Sequence, residues 1–176
     1  MSLTNFPNGI SSFGMPVFAG GFPTFGNAFY VDYTYGSDSY NGKSTKRAVQ
    51  TLSKAYELAA SNNNDVIFIN GYAEIVETAM IDWTKNRIHV IGCNGYPPGL
   101  GYGAGARITM GVSGVAANIA VVKNTGNRNT FTGIKFSNGD TTATNLYTFA
   151  EGGEYTRFNH CEFYKGALLT TAGTAE

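Results

Sequence analysis

The chain has 176 residues, with 12 Lys plus Arg balanced by 12 Asp plus Glu, and only 14% charged residues against 23 glycines and 14% aromatics. That length fits one domain burying roughly 70% of the surface its unfolded chain exposes. Zero net charge without a block of like charge leaves no field to gather nucleic acid or an anionic membrane, and low charge with abundant Gly and aromatics favours a β-rich, turn-rich protein.

The first charged residue is Asp32, and the stretch before it holds six of the twelve phenylalanines and three of the five prolines. Disordered tails are usually rich in charge and poor in rings, so this composition runs the other way. Residues 1–28 read as an extended docking arm, with residues 29–176 as one folded body. Phe6, Phe13, Phe18, Phe22 and Phe25, together with Met15, would bury against a partner protein, the alternative being that the rings fold back along the outside of their own body. The ring spacing matches no single helix or strand, which suits an irregular path. Each fully buried Phe is worth about 1.5–3 kcal/mol, so five could supply firm attachment. A secretory leader is not expected, because no positive n-region precedes a continuous apolar run. Gly, Pro, Ser and Asn interrupt every candidate for the ~20-residue apolar span of a membrane helix.

Gly36 to Lys43 (GSDSYNGK) lacks the alternating Asp ligands and terminal Glu of a calcium loop and reads as Asx turns leading into a helix. The helix is predicted from Thr45 to about Ala60, with Ala48, Leu52, Ala55, Tyr56 and Ala59 on one apolar stripe. Ser44 or Thr45 would cap its start, and Asn62 to Asn64 would end it in left-handed geometry.

The remainder reads as short strands with a repeat. FTGIKF (131–136) and FNHCEF (158–163) match at every apolar position: Phe131 with Phe158, Ile134 with Cys161, Phe136 with Phe163. RITMG (107–111), RIHVIG (87–92) and VIFING (66–71) continue the series backwards at 20 to 23 residues. Shorter apolar pieces fall between most of them, at 75–76, 119–122, 146–149 and 168–169. Such periods signal stacked units that cannot bury their apolar faces alone. The expected fold is therefore all-β: a short right-handed parallel β-helix of about five coils, its N-terminal end covered by the helix. An antiparallel sandwich is the competing arrangement.

Two stretches carry a family likeness. FYVDYTYGSDSYNGKSTKRAVQTLSKAYELAASNNNDVIFING resembles the opening of pectate-lyase-like right-handed β-helix proteins, where a strand, a Gly-Ser-Asp turn and a capping helix lead into the first coil. MSLTNFPNGISSFGMPVF resembles the start of tailed-bacteriophage structural proteins found as head or virion-surface components. The resemblance implies a non-enzymatic virion protein on the capsid or head surface, assembled in the host cytoplasm. Its partners would be capsid or sibling subunits, with a homo-trimer as the favoured oligomer and no cofactor. The first match is shared by many functions and so says little of activity. The alternatives are a polysaccharide lyase or hydrolase, and a glycan-binding protein using Tyr147, Tyr155 and Tyr164 as stacking platforms with a host glycan as ligand.

Catalysis on such a fold needs clustered carboxylates in one groove. The residues expected to point outward are His89, Thr109, Lys135, Asn159 and Glu162, with Lys135 and Glu162 as lateral neighbours forming a surface ion pair. Glu77 and Asp82 could approach one another, but nothing equivalent recurs in the next coil, so no catalytic residue is assigned. His160 and Cys161 alternate across a strand and cannot easily share a ligand sphere, so no metal site is expected. Cys93 and Cys161 read as buried free thiols. Pro97 to Ala106 contains a formal G-x-G-x-x-A, but it follows two prolines and precedes a strand rather than a helix. It reads as a contact loop, through Pro97, Pro98, Leu100 and Tyr102.

Overall fold

The computed structural model describes residues 11–12, 15–16, 26–93, 106–110, 120–138, 147–164 and 167–170. It is mostly β, with parallel sheets and a single short α-helix. Two strands lie in the arm, β1 (Ser11–Ser12) and β2 (Met15–Pro16), paired antiparallel with Ser12 opposite Met15. Every other pairing between named strands is parallel.

The body begins with β3 (Ala28–Val31), a 3-10 turn at Thr45–Arg47 and α1 (Leu52–Leu58). Twelve strands follow in four groups. The first is β4 (Asp65–Asn70), β5 (Glu74–Glu77) and β6 (Ile81–Trp83). The second is β7 (Ile88–Cys93), β8 (Ala106–Met110) and β9 (Val122–Asn124). The third is β10 (Thr130–Thr132), β11 (Ile134–Asn138) and β12 (Tyr147–Glu151). The last is β13 (Arg157–Asn159), β14 (Glu162–Tyr164) and β15 (Ala167–Thr170).

Each group gives one strand to each of three sheets. Sheet I runs β3-β4-β7-β10-β13, sheet II β5-β8-β11-β14 and sheet III β6-β9-β12-β15. The chain therefore visits the three sheets in turn and returns to the first one strand further along. Corners need backbone that most residues avoid, and Gly133 supplies one between β10 and β11 at φ +65°.

The repeat expected at 27 residues is present in register: Phe131 pairs with Phe158 and Phe136 with Phe163. VIFING and RIHVIG are likewise neighbours, β4 pairing with β7 in parallel, but the steps through RITMG need correction. RIHVIG and RITMG are not successive coils, because β7 belongs to sheet I and β8 to sheet II of the same group. The partner of His89 is Thr130, 41 residues on. Alternation marks a strand without saying which sheet it joins, so two strands of one group mimic two repeats.

The helix is also shorter than predicted. Ala48 is extended (ψ 144°), and Val49 bridges Val31 in parallel. Asp38 then accepts from Gln50 N, Thr51 N and Thr51 Oγ1 at 2.8–3.0 Å, which holds the chain extended as far as the helix cap. Thr51, not Ser44, caps α1, its hydroxyl accepting from Lys54 N at 3.1 Å. Tertiary pairing of Val49 overrides the helical stripe. Asn62 and Asn64 do adopt left-handed geometry, φ 62° and 54°.

α1 lies over the end of the stack where β3, β5 and β6 are the edge strands. Glu77 of β5 accepts from Leu52 N at 2.8 Å, and Tyr56 stacks on Trp83 of β6 at 4.3 Å. Lys85 fixes the helix C-terminus, donating from Nζ to the carbonyls of Tyr56, Glu57 and Ala59 at 2.7–2.9 Å.

The interior is filled by inward residues of all three sheets: Ile67, Val90 and Phe131 from sheet I, Ile75, Ile108 and Phe136 from sheet II, Trp83, Val122 and Phe149 from sheet III. Phe131 stacks on Phe158 at 5.5 Å and meets Phe149 edge-on at 5.2 Å. Such pairs add about 0.5–1.5 kcal/mol beyond burial. At the corner between sheets III and I the interior holds a hydrogen-bonded polar cluster. Asn129 accepts from Ile88 N and donates to Lys85 O and Asn124 Oδ1, while Asn124 donates to both oxygens of Glu151.

Candidate functional site

The chain enters each of four successive sheet I strands through a residue in the left-handed region: Asn64, Arg87, Arg128 and Tyr155, with φ between 54° and 58°. The strand registers (Asp65 with Ile88, His89 with Thr130, Thr130 with Arg157) stack these four residues side by side. Asn tolerates this backbone; Arg and Tyr do so at a cost.

The preceding residues form a second ladder. Asn86 Oδ1 accepts from Asn127 N at 2.7 Å, and Asn127 Oδ1 accepts from Glu154 N at 2.8 Å. Backbone bonds tie the same corners, Arg87 N donating to Asn127 O and Arg128 N to Glu154 O. The amide oxygens of Asn86 and Asn127 are thus held by backbone N–H groups.

The result is a two-part groove along the corner. One part, about 220 Å³, is bounded by Asn86, Arg87, Asn127, Arg128, Glu154 and Tyr155. The other, about 410 Å³, is bounded by Arg87, His89, Arg128, Thr130, Tyr155 and Arg157. Tyr155 is 69% exposed, with the Arg128 guanidinium 5.7 Å from its ring centre. Burial lowers the His89 pKa, which favours the neutral imidazole.

Of the residues singled out from the sequence, Lys135 and Glu162 meet as expected, Nζ to Oε1 at 2.8 Å. They continue a row across sheet II in which Glu74 pairs with Arg107 at 3.0 Å. Thr109 alternates with the inward Ile108 and Met110 and so lies on the outward face of sheet II, but it is covered there, at 8% exposure. His89 and Asn159 belong to sheet I, so the five residues never shared one face. Glu77 is buried and turned to α1, while Asp82 is exposed on sheet III. Cys93 and Cys161 are free thiols, half-buried rather than buried, and burial raises both pKa values. His160 is exposed at a left-handed corner.

The arm residues Phe6, Phe13, Phe18, Phe22 and Phe25, and the loop residues Pro97, Pro98, Leu100 and Tyr102, lie outside the described residues. Met15 is placed only as backbone of β2. No group of three or more His, Cys, Asp or Glu among the described residues is arranged to hold a metal ion, and no described helix is long and apolar enough to cross a membrane.

Five of the described carboxylates are engaged by backbone N–H groups. Asp32 accepts from Thr34 N and Tyr35 N, Asp65 from Asn27 N and Ala60 N, and Glu151 from Gly153 N and Asn124 Nδ2. With Asp38 and Glu77 they serve as acceptors that brace turns and the helix start. Burial raises the pKa of Glu77 and of Glu151, opposed in each by the hydrogen bonds it accepts.

Sequence reasoning missed the groove. Its signal was the Asn-Arg pair before a strand, at 86–87 and again at 127–128. Comparison with family models, with curated proteins and with solved structures gives no match in any of the three.

Proposed function

We propose that this chain is a non-enzymatic structural protein of a tailed-bacteriophage virion, a capsid decoration or head-surface component fastened by its uncharged aromatic N-terminal arm. The body is a right-handed parallel β-helix of about five coils. Cyclic visits to three parallel sheets support that reading, as does the strong preference of parallel crossovers for the right hand. α1 caps its first coil.

One observation carries the passive role. Five of the acids that a glycan-cleaving site would draw upon, Asp32, Asp38, Asp65, Glu77 and Glu151, are committed to backbone N–H groups as braces. A general acid or base must instead reach a substrate proton. Such a body is a rigid post, and its attachment is adhesion by apolar burial through the arm, to capsid or sibling subunits, with a trimer as the expected oligomer.

The test is deletion of residues 2–25. The truncated chain is expected to remain folded and soluble yet to be missing from purified particles. Normal incorporation of the truncated chain, or release of fragments from host polysaccharide by the intact protein, would overturn the reading.

A further inference from the structure

The groove along the Asn86–Arg87 and Asn127–Arg128 corners has no role in the adhesion described above. Its lining is rich in donor side chains, with Asn86, Asn127, Arg87, Arg128 and Arg157, and the Asn86 and Asn127 amide oxygens are already taken by backbone N–H groups. None of these three arginines is in an ion pair among the described residues, where the cations used are Lys54, Arg107 and Lys135. Glu154 is the one acid of the lining, so three positive charges face one negative in a chain whose net charge is zero.

Parallel register sets Arg87 and Arg128 on backbones about 4.8 Å apart. Like charges directly opposite on neighbouring strands repel one another. Both residues also hold a left-handed backbone that Asn or Gly would adopt with less strain, φ 55° and 58°. Two guanidinium forks one strand apart suit a single tetrahedral oxyanion, whose several oxygens take bidentate bonds from both. Tyr155 stands beside them with one face toward Arg128 and most of its ring in solvent, a platform for an apolar sugar face.

We propose that this groove binds a phosphorylated saccharide, with the phosphoryl group held by Arg87 and Arg128 and assisted by the amide nitrogens of Asn86 and Asn127, and the sugar ring stacked on Tyr155. The assignment stands on the groove alone, wherever the protein is carried. The shared chemistry covers a free sugar phosphate and a phosphate-bearing surface polymer.

The experiment is calorimetric titration of the full chain with mannose 6-phosphate, a phosphate-linked teichoic acid, inorganic phosphate, mannose, galacturonic acid and polyglutamate. Mannose 6-phosphate or the teichoic acid should bind at least tenfold more tightly than galacturonic acid, and the better of the two identifies the source. Inorganic phosphate should bind more weakly, and mannose should give no signal. Arg87→Asn with Arg128→Asn should fold, since Asn accepts the left-handed backbone, and should lose at least tenfold in affinity. Tyr155→Asn should bring the sugar phosphate down to the affinity of inorganic phosphate while leaving the latter unchanged. The proposal is overturned if the arginine variant binds as well as the parent, if mannose binds equally, or if polyglutamate binds most tightly, the last marking an acidic peptide groove instead.

Discussion

Lys135 and Glu162, 27 positions apart in the chain, are register partners on adjacent strands and touch at 2.8 Å. Both side chains are partly exposed, at 26% and 35%, so solvent screens the pair. A double-mutant cycle with Lys135→Ala and Glu162→Ala should return a coupling of about 0.2–1 kcal/mol, shrinking as salt is added. Coupling well above that range would mean that the pair is held far drier than the structure shows.

Phe131 is the opposite case. It is fully buried and meets Trp83, Phe136, Phe149 and Phe158, joining rings from all three sheets. Phe131→Ala should lower stability by about 3–5 kcal/mol in urea unfolding, through lost burial and the cavity left behind. A loss no larger than that at Lys135 would contradict the packing.

Asn129 bonds across groups. Replacing it by Ala strands the buried N–H of Ile88 and removes a donor from the buried Asn124 Oδ1. Each unsatisfied buried group costs about 1–3 kcal/mol, so Asn129→Ala should rival the Phe131 variant although it removes far less apolar surface. The same urea experiment checks it.

Glu77 gives the molecule a pH dependence with a definite sign. Burial raises its pKa above the ordinary 4.5, so the folded chain binds that proton more tightly than the unfolded chain. The stabilisation is fully present below the unfolded value and is lost as pH rises through the folded one. The urea midpoint of the parent should therefore rise on going from pH 7 toward pH 5. Glu77→Gln can still accept from Leu52 N, so it should be more stable than the parent at pH 7 and should show a smaller rise. A slope remains from Glu151, shifted the same way. An unchanged slope in the variant would refute the assignment.

Lys85 ties α1 to the stack through three carbonyls. Lys85→Met keeps the stem but not the donors, and should accelerate amide exchange in Leu52–Leu58 more than in β7 or β10. Equal acceleration everywhere would show that the helix and the stack open together.

The sequence made some of this legible. The match of Phe131 and Phe136 with Phe158 and Phe163 is readable because both hexapeptides turn the same corner, at Gly133 in one and at His160 in the other, each with positive φ. The same shift put Lys135 beside Glu162. The helix was overextended because Ala48 fits the apolar stripe, while the pairing of its neighbour Val49 with Val31, which holds the chain extended there, is a long-range event. The step from His89 to Thr130 was hidden because the number of residues between sheet I strands changes from 23 to 41 to 27, so no fixed period reports it. The groove was hidden for the same reason: Arg87 and Arg128 become neighbours only once that step is known.

Successive returns to sheet I take 23 residues from Val66 to His89, 41 from His89 to Thr130 and 27 from Thr130 to Arg157, yet all four residues sit in one lateral row. The register of sheet I is thus indifferent to how much chain separates its strands. A foreign peptide spliced between β7 and β8 should therefore leave the pairing of β4, β7 and β10 unchanged, which makes this body a natural frame for presenting inserted sequences.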